Sequence, residues 1–214
     1  MKILGISCQG ERSSAALLVD GVIVGVSAES NHSRQLCDHT WPAMAIESIL
    51  AQGDLQREEL DWVALDGEAH PRFSRVLSTT LRPSFPMGMS AFVGAMREWV
   101  GGRLWARETA SKRVNIHGTR VLSFSHHRAL ARGAAVVAGQ SHTDVLVLDA
   151  QSEWSASTTW HHDLDASPPL QQSIDVPYPH SIGLVVQALA MWMGLDSRSP
   201  WAAMSMLAQW GRPI

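Results

Sequence analysis

With 214 residues, 45% of them hydrophobic and 17% charged, the chain is long enough to bury a core without disulfide staples, so Cys8 and Cys37 are expected as reduced thiols. Seventeen Lys and Arg against twenty Asp and Glu give a formal charge of -3, which excludes the basic field that draws a protein to nucleic acid or anionic lipid. No apolar run approaches the ~20 residues of a spanning helix and the apolar start is too short for a signal peptide, so a cytoplasmic protein with no membrane partner is expected.

The opening reads as three strands, 2–8, 14–20 and 22–29, the last two joined by Asp20-Gly21, a strong hairpin signal between β-branched runs. A helix follows, with Pro42 in its first turn and Met44, Ile46, Ile49 and Leu50 at helical spacing before Gly53. Residues 61–65 form a short apolar strand, after which Pro71, Pro83 and Pro86 predict loop and short helices. From 89 to about 110, Phe92, Met96, Trp99, Val100 and Leu104 predict one helix with a single apolar face. Residues 119–124 read as a strand, Ser125 begins an Ala-rich helix, and 144–148 is an apolar strand of the fully buried type. Residues 155–161 and 170–176 alternate like hairpin partners across a polar loop. Pro179-His180-Ser181 then opens a helix in which Ile182, Val185, Val186, Leu189, Met193 and Leu195 are core candidates, and Pro200 begins a last helix ending near Gly211. Neither a repeat nor a long Gly/Ser linker divides the chain.

Five local features bear chemistry. The turn containing Gly10, Ser13 and Ser14 joins two strands with small residues whose N–H and hydroxyl groups suit a phosphate, or it is an ordinary β-turn. His126 and His127 open the Ala-rich helix after a strand, at the end of the sheet where α/β proteins place ligands, or they are a surface or core pair. Asp149 ends an apolar strand and is followed by Ala150-Gln151-Ser152-Glu153-Trp154, a position for metal or phosphate handling or for a turn-forming Asp. Ser181 and His180 precede a helix that either can cap. Glu29, with Arg34 and Asp38, leaves the third strand toward the same cleft or forms surface charge. The phosphate-loop, nucleophile-elbow, Cys-x-x-Cys and His-Glu-x-x-His templates are absent from the sequence.

In this order the features resemble the N-terminal domain of the O-carbamoyltransferases of nodulation-factor and antibiotic biosynthesis. Residues 1–21 are similar to the family's opening hairpin, and Trp41-Pro42-Ala43-Met44-Ala45-Ile46 to its first helix. His126-His127 resembles its His-His-x-x-His start, 149–154 its Asp-Gly-x-Gly-Glu-Trp turn, and Pro179-His180-Ser181-Ile182-Gly183-Leu184 its Pro-His-Ser-Ile-Gly-Leu helix. The resemblance implies an α/β, actin-like ATPase (ribonuclease H-like) fold, with one lobe over about 1–115 and part of a second over about 116–214. It implies ATP and a divalent metal as cofactors, with His126 and Asp149 as metal ligands and His126, His127 and Asp149 at the reacting centre. Gly10, Ser13, Ser14, Glu153 and Ser181 would contact the nucleotide or acceptor. The implied reaction transfers a carbamoyl group from carbamoyl-adenylate to a small-molecule hydroxyl.

The departures matter equally. The family's Gly-His-Asp-Ser-Ser loop is Gly10-Glu11-Arg12-Ser13-Ser14, its second metal His is Leu130, and two turn glycines are Ala150 and Ser152. The family also continues beyond this length, into the rest of the second lobe and a C-terminal domain that makes carbamoyl-adenylate. A divergent carbamoyltransferase domain unable to run the full reaction alone is therefore expected. The alternative is a non-catalytic scaffold or partner of a full-length carbamoyltransferase. Either predicts weak metal and ATP binding. Apolar surface on the last two helices would serve a homodimer or a complex with a carbamoyltransferase C-terminal half.

Overall fold

The computed structural model describes residues 1–10, 12–84, 89–195 and 200–212. Expectations resting on Glu11 and Pro86 lie outside the described residues. The chain divides into two compact units, Met1–His126 and His127–Ile214.

In the first unit, β1 (Lys2–Ser7), β2 (Ser14–Val19) and β3 (Val22–Ala28) form an antiparallel meander. Asp20 and Gly21 both take positive φ, 49° and 85°, the twist a two-residue hairpin turn requires. A short helix α1 (Ser30–Ser33) leads to α2 (Ala43–Gln52), whose Ala45, Ile46, Ile49 and Leu50 are buried. The chain then crosses to β4 (Trp62–Asp66), parallel to β1. After α3 (Ala69–Ser84), α4 (Met89–Gly101) and α5 (Ala106–Val114) it returns as β5 (Val121–Phe124), parallel to β4. The order β3-β2-β1-β4-β5, with β2 alone running against the rest, is the ribonuclease H-like arrangement of an actin-like lobe. Leu4, Ile6, Leu17, Ile46, Ile49, Val63, Leu65, Val114 and Val121 meet in one core.

Two expectations for this unit are corrected. Pro71 does not interrupt a helix, because it stands in the first turn of α3, where its missing N–H has no intrahelical partner to lose, and the helix continues through Pro83. The single helix expected over 89–110 is instead two, parted at Gly101-Gly102 and a 3-10 turn Arg103–Trp105, and on α4 Trp99 is buried while Val100, expected on the same apolar face, is exposed.

The second unit takes up α6 (His126–Ala138) after its first residue and continues with the antiparallel sheet β6 (His142–Leu148), β7 (Ser155–Asp163) and β8 (Leu170–Pro177). The expected 155–176 hairpin is present. Its small core joins Ala131 of α6 to Val147, Trp160 and Leu170 of the sheet. Residues 144–148 are not a fully buried strand: only Val147 is buried, and Leu146 and Leu148 are exposed. Helix α7 (Ile182–Trp192) buries Gly183 and Ala190, whereas the core candidates Ile182, Val185, Leu189 and Met193 are exposed. Helix α8 (Pro200–Ala208) packs on α7. With every face apolar, α7 gives no periodic signal to say which face is covered.

Candidate functional site

The parallel strands β1, β4 and β5 end together, which brings Ser7, Asp66 and the start of α6 to one edge of the sheet. Ser7 Oγ donates to Asp66 Oδ2 at 3.0 Å. His126 Nδ1 lies 2.8 and 3.0 Å from the two Asp66 oxygens. A carboxylate accepts, so this contact places a proton on Nδ1. Sequence reasoning found His126 but not Asp66, because the strand expected over 61–65 stopped one residue short. The signal was present, since a carboxylate at a strand's carboxyl end is the same clue that singled out Asp149.

The β1–β2 turn lies beside this edge. Ser13 is fixed by its backbone, its N–H donating to Asp38 O at 2.7 Å and its carbonyl accepting from Glu29 N at 2.9 Å. Its side-chain Oγ is buried without a hydrogen-bond partner. Gly10 is exposed, Arg12 is exposed, and Ser14 faces Ser7 across the β1–β2 ladder. Arg72, from the first turn of α3, donates through Nη1 to Gln9 O at 2.6 Å. Sequence reasoning did not single out Gln9 or Arg72.

Glu29 is not surface charge. It is buried at the end of β3 and its two carboxylate oxygens accept from Met44 N at 3.2 Å and Ala45 N at 2.9 Å, satisfying the amino end of α2 from a distance. Asp38 is also buried. Its carboxyl is held down to about 2, first by the Ser33 hydroxyl and then by the hydroxyl and N–H of Thr40. Burial, reinforced by Asp66, pushes the Cys8 thiol up to about 11 against the opposing pull of Arg113, Arg103 and Arg72.

In the second unit the 149–154 turn joins β6 to β7. Asp149 Oδ1 accepts from Ala150 N at 2.7 Å, and Oδ2 lies 4.0 Å from His127 Nε2. His127 is buried, with Nδ1 2.9 Å from Thr158 Oγ1, which also accepts the Trp160 indole N–H at 2.7 Å. Ser181 caps α7 by accepting from Leu184 N at 3.2 Å and donates its own proton to Asp149 O at 2.7 Å. Two residues on, a Cβ at Gly183 would stand 2.5 Å from Ala150 Cα, so only glycine permits this approach. The cap reading of Ser181 and its place beside Asp149 are thus one arrangement. Ser152 donates to Glu153, and both are buried. An open cleft of about 500 Å³ is lined by Pro179, His180, Ser181, Ile182, Leu184, Val185 and Ala188.

Each of the two candidate metal ligands has partners within its own unit. His126 is engaged by Asp66, Asp149 is engaged by Ala150 N and faces His127, and position 130, one turn after His126, is an exposed leucine. Three or four protein ligands are usual for a stable site. Elsewhere, His142, Asp163 and Asp165 bring donor atoms within 4.8 Å of one another, but His142 and Asp163 are cross-strand neighbours whose 3.3 Å contact an ordinary pair explains.

The family model for the carbamoyltransferase N-terminus matches residues 2–214. An uncharacterized protein, sll1178, from Synechocystis sp. is 28% identical over 218 residues, which cover 99% of this chain and 35% of the relative. Among solved structures, YeaZ from Pseudomonas aeruginosa is similar at TM-score 0.43 and 14% identity, over 84% of this chain and 68% of that one. A second, described as an uncharacterized protein with similarity to peptidase YEAZ from Pseudomonas aeruginosa, has TM-score 0.41 and 13% identity, over 81% and 64% of the two chains.

Proposed function

The chain belongs to the carbamoyltransferase N-terminal family, and from that premise we propose that it is a divergent domain for ATP- and carbamoyl phosphate-dependent O-carbamoyl transfer to a small-molecule hydroxyl, unable to run the reaction alone. The observation that supports this reading is the joined edge of β1, β4 and β5, where Asp66 fixes the ring of His126 beside the Ser13 turn. A positioned imidazole and a turn of N–H and hydroxyl groups are the parts that orient a phosphate and stabilise its charge as a carbamoyl group leaves it. Ser181 and Gly183 hold the Asp149 turn in place in the second unit. On this reading His126 and Asp149 are the family's metal-ligand positions that keep a ligand side chain, Leu130 is the one that does not, and no step is assigned to the metal.

Metal content after dialysis and mass-spectrometric assay of carbamoylated product test this together. The purified chain, supplied with ATP, carbamoyl phosphate and a panel of hydroxyl compounds, is expected to hold well under one metal per chain and to give no product. Leu130→His restores a donor four residues after His126, on the same helix face, and is expected to raise the retained metal. Stoichiometric metal in the unaltered chain, or turnover by it, overturns the proposal.

One observation favours the second reading, a binding partner of a carbamoyltransferase. Trp192 of α7 and Trp210 after α8 are 82% and 89% exposed, alongside exposed Met191 and Met206. These are residue types enriched at interface cores. The chain spans 35% of the length of the curated relative it matches, and on this reading the occupant of the surface is the remaining portion of a carbamoyltransferase. Sedimentation as a clean monomer with no hydrophobic-dye binding removes this reading.

A further inference from the structure

Thr158, Trp160 and His162 recur at every second position of β7 and are 1%, 7% and 3% exposed, so they share its inner face. Beside Thr158 stands His127, in the first turn of α6 and itself 3% exposed. Trp160, Thr158 and His127 form a chain of hydrogen bonds whose direction their chemistry sets. The Trp160 indole N–H is a donor and nothing else, and it donates to Thr158 Oγ1 at 2.7 Å. The same oxygen lies 2.9 Å from His127 Nδ1.

These are the two partners of the Thr158 hydroxyl among the described residues. Its single proton needs an acceptor, which the indole does not offer and an unprotonated Nδ1 does. A proton on Nδ1 would set two donors against the hydroxyl and leave its own buried proton without an acceptor, an arrangement that native interiors avoid. The chain therefore runs from indole to hydroxyl and from hydroxyl to Nδ1. In the neutral ring the remaining proton is then on Nε2, the nitrogen that faces Asp149 Oδ2 at 4.0 Å. The carboxylate asks for the same answer independently, because it attracts an N–H and repels a lone pair. At 4.0 Å it favours the donor without fixing it, and the fixing falls to Thr158.

We propose that Trp160 and Thr158 are positioning residues that hold His127 in its Nε2–H form, so that the group it presents to the Asp149 turn is a hydrogen-bond donor. What this does for the reaction rests on the proposed function. There, an oxygen of the reacting groups brought to the turn meets an N–H at His127, which suits the steadying of negative charge and not the removal of a proton from a hydroxyl. The place of the proton stands apart from that reading. His162 supplies a contrast on the same strand, since Arg132 Nη1 donates to its Nε2 at 3.0 Å and so puts the His162 proton on Nδ1.

Nitrogen-15 NMR of the full chain labelled at histidine, at about pH 8 where an ordinary imidazole is neutral, tests the proposal without any turnover. His127 is expected protonated at Nε2 and His162 at Nδ1. Thr158→Val keeps the shape but removes the hydroxyl, and the two His127 nitrogen signals are expected to move toward each other as both tautomers become populated. Thr158→Ser is expected to keep the single form. Trp160→Phe frees the Thr158 oxygen to accept from Nδ1 and is expected to shift His127 in the same direction as Thr158→Val. His162 is expected to hold its form in Thr158→Val and Thr158→Ser, which separates a lost hydrogen bond from a loosened unit. A proton on His127 Nδ1 in the unaltered chain overturns the proposal, a result available even where Thr158→Val does not fold. An unchanged His127 spectrum in folded Thr158→Val overturns it as well. Either outcome leaves the proposed function to its own metal and product assays.

Discussion

The two units differ in the size of the core their sheets bury. In Met1–His126 the core runs from β1, β2, β4 and β5 to α2 and α5, and its large side chains, Leu4, Leu17, Ile49 and Val63 among them, have no measurable exposure. In His127–Ile214 the core is Ala131 against Val147, Trp160 and Leu170, while Leu146, Leu148 and Ile174 stand exposed on the strands themselves. Apolar content therefore does not decide burial. What decides it is whether another element is laid over the face, and in the second unit the strands carry apolar residues on both faces with α6 packed against one.

The largest test of this contrast pairs two leucines on strands. Leu65→Ala empties a closed core and is expected to cost about 2–5 kcal/mol, whereas Leu146→Ala is expected to stay within about 0.5 kcal/mol, as a surface change does. Urea unfolding of both variants measures this, and equal losses would show that the β6 face is covered in solution.

Two glycines sharpen it next. Gly183→Ala drives a Cβ into the backbone of Ala150 and is expected to destabilise by about 1–3 kcal/mol through overpacking. Gly10→Ala meets open space and is expected to leave the melting temperature unchanged. Thermal melts followed by circular dichroism separate them.

Within the first unit, Glu29→Ala removes the acceptors for Met44 N and Ala45 N and is expected to cost about 1 kcal/mol, the scale of a lost helix cap. Hydrogen exchange at Met44 and Ala45 is expected to quicken selectively, with amides of the second unit unmoved.

The smallest effect concerns acid. The folded Asp38 carboxyl, at about 2, lies below its unfolded value near 3.9, so its contribution is complete above about pH 4 and is lost as pH falls through 2. Asp38→Asn is expected to remove that portion of the acid limb and leave the neutral range flat. An acid titration of stability that is identical in the two proteins would refute the assignment.

Local chemistry made much of this molecule legible from sequence. Asp20-Gly21 can turn through positive φ at both positions and so announces its hairpin. Ser181 can cap a helix, and His126, Asp149 and the Ser13 turn carry the residue types that mark strand ends in ligand-handling folds. The Pro71 helix was obscured because proline breaks a helix interior but fits a first turn, and the distinction depends on where the helix starts. Glu29 looked like surface charge because its partners, Met44 and Ala45, are amides fifteen and sixteen residues away whose need for an acceptor exists only once α2 has formed. The strand order, the pairing of Asp66 with His126 across sixty residues and the placing of Arg72 on Gln9 belong to the tertiary structure alone. Sequence patterns record periodicity and short-range hydrogen-bonding capacity, whereas which side chains meet at a sheet edge is fixed by strands whose neighbours in space are far apart in the chain.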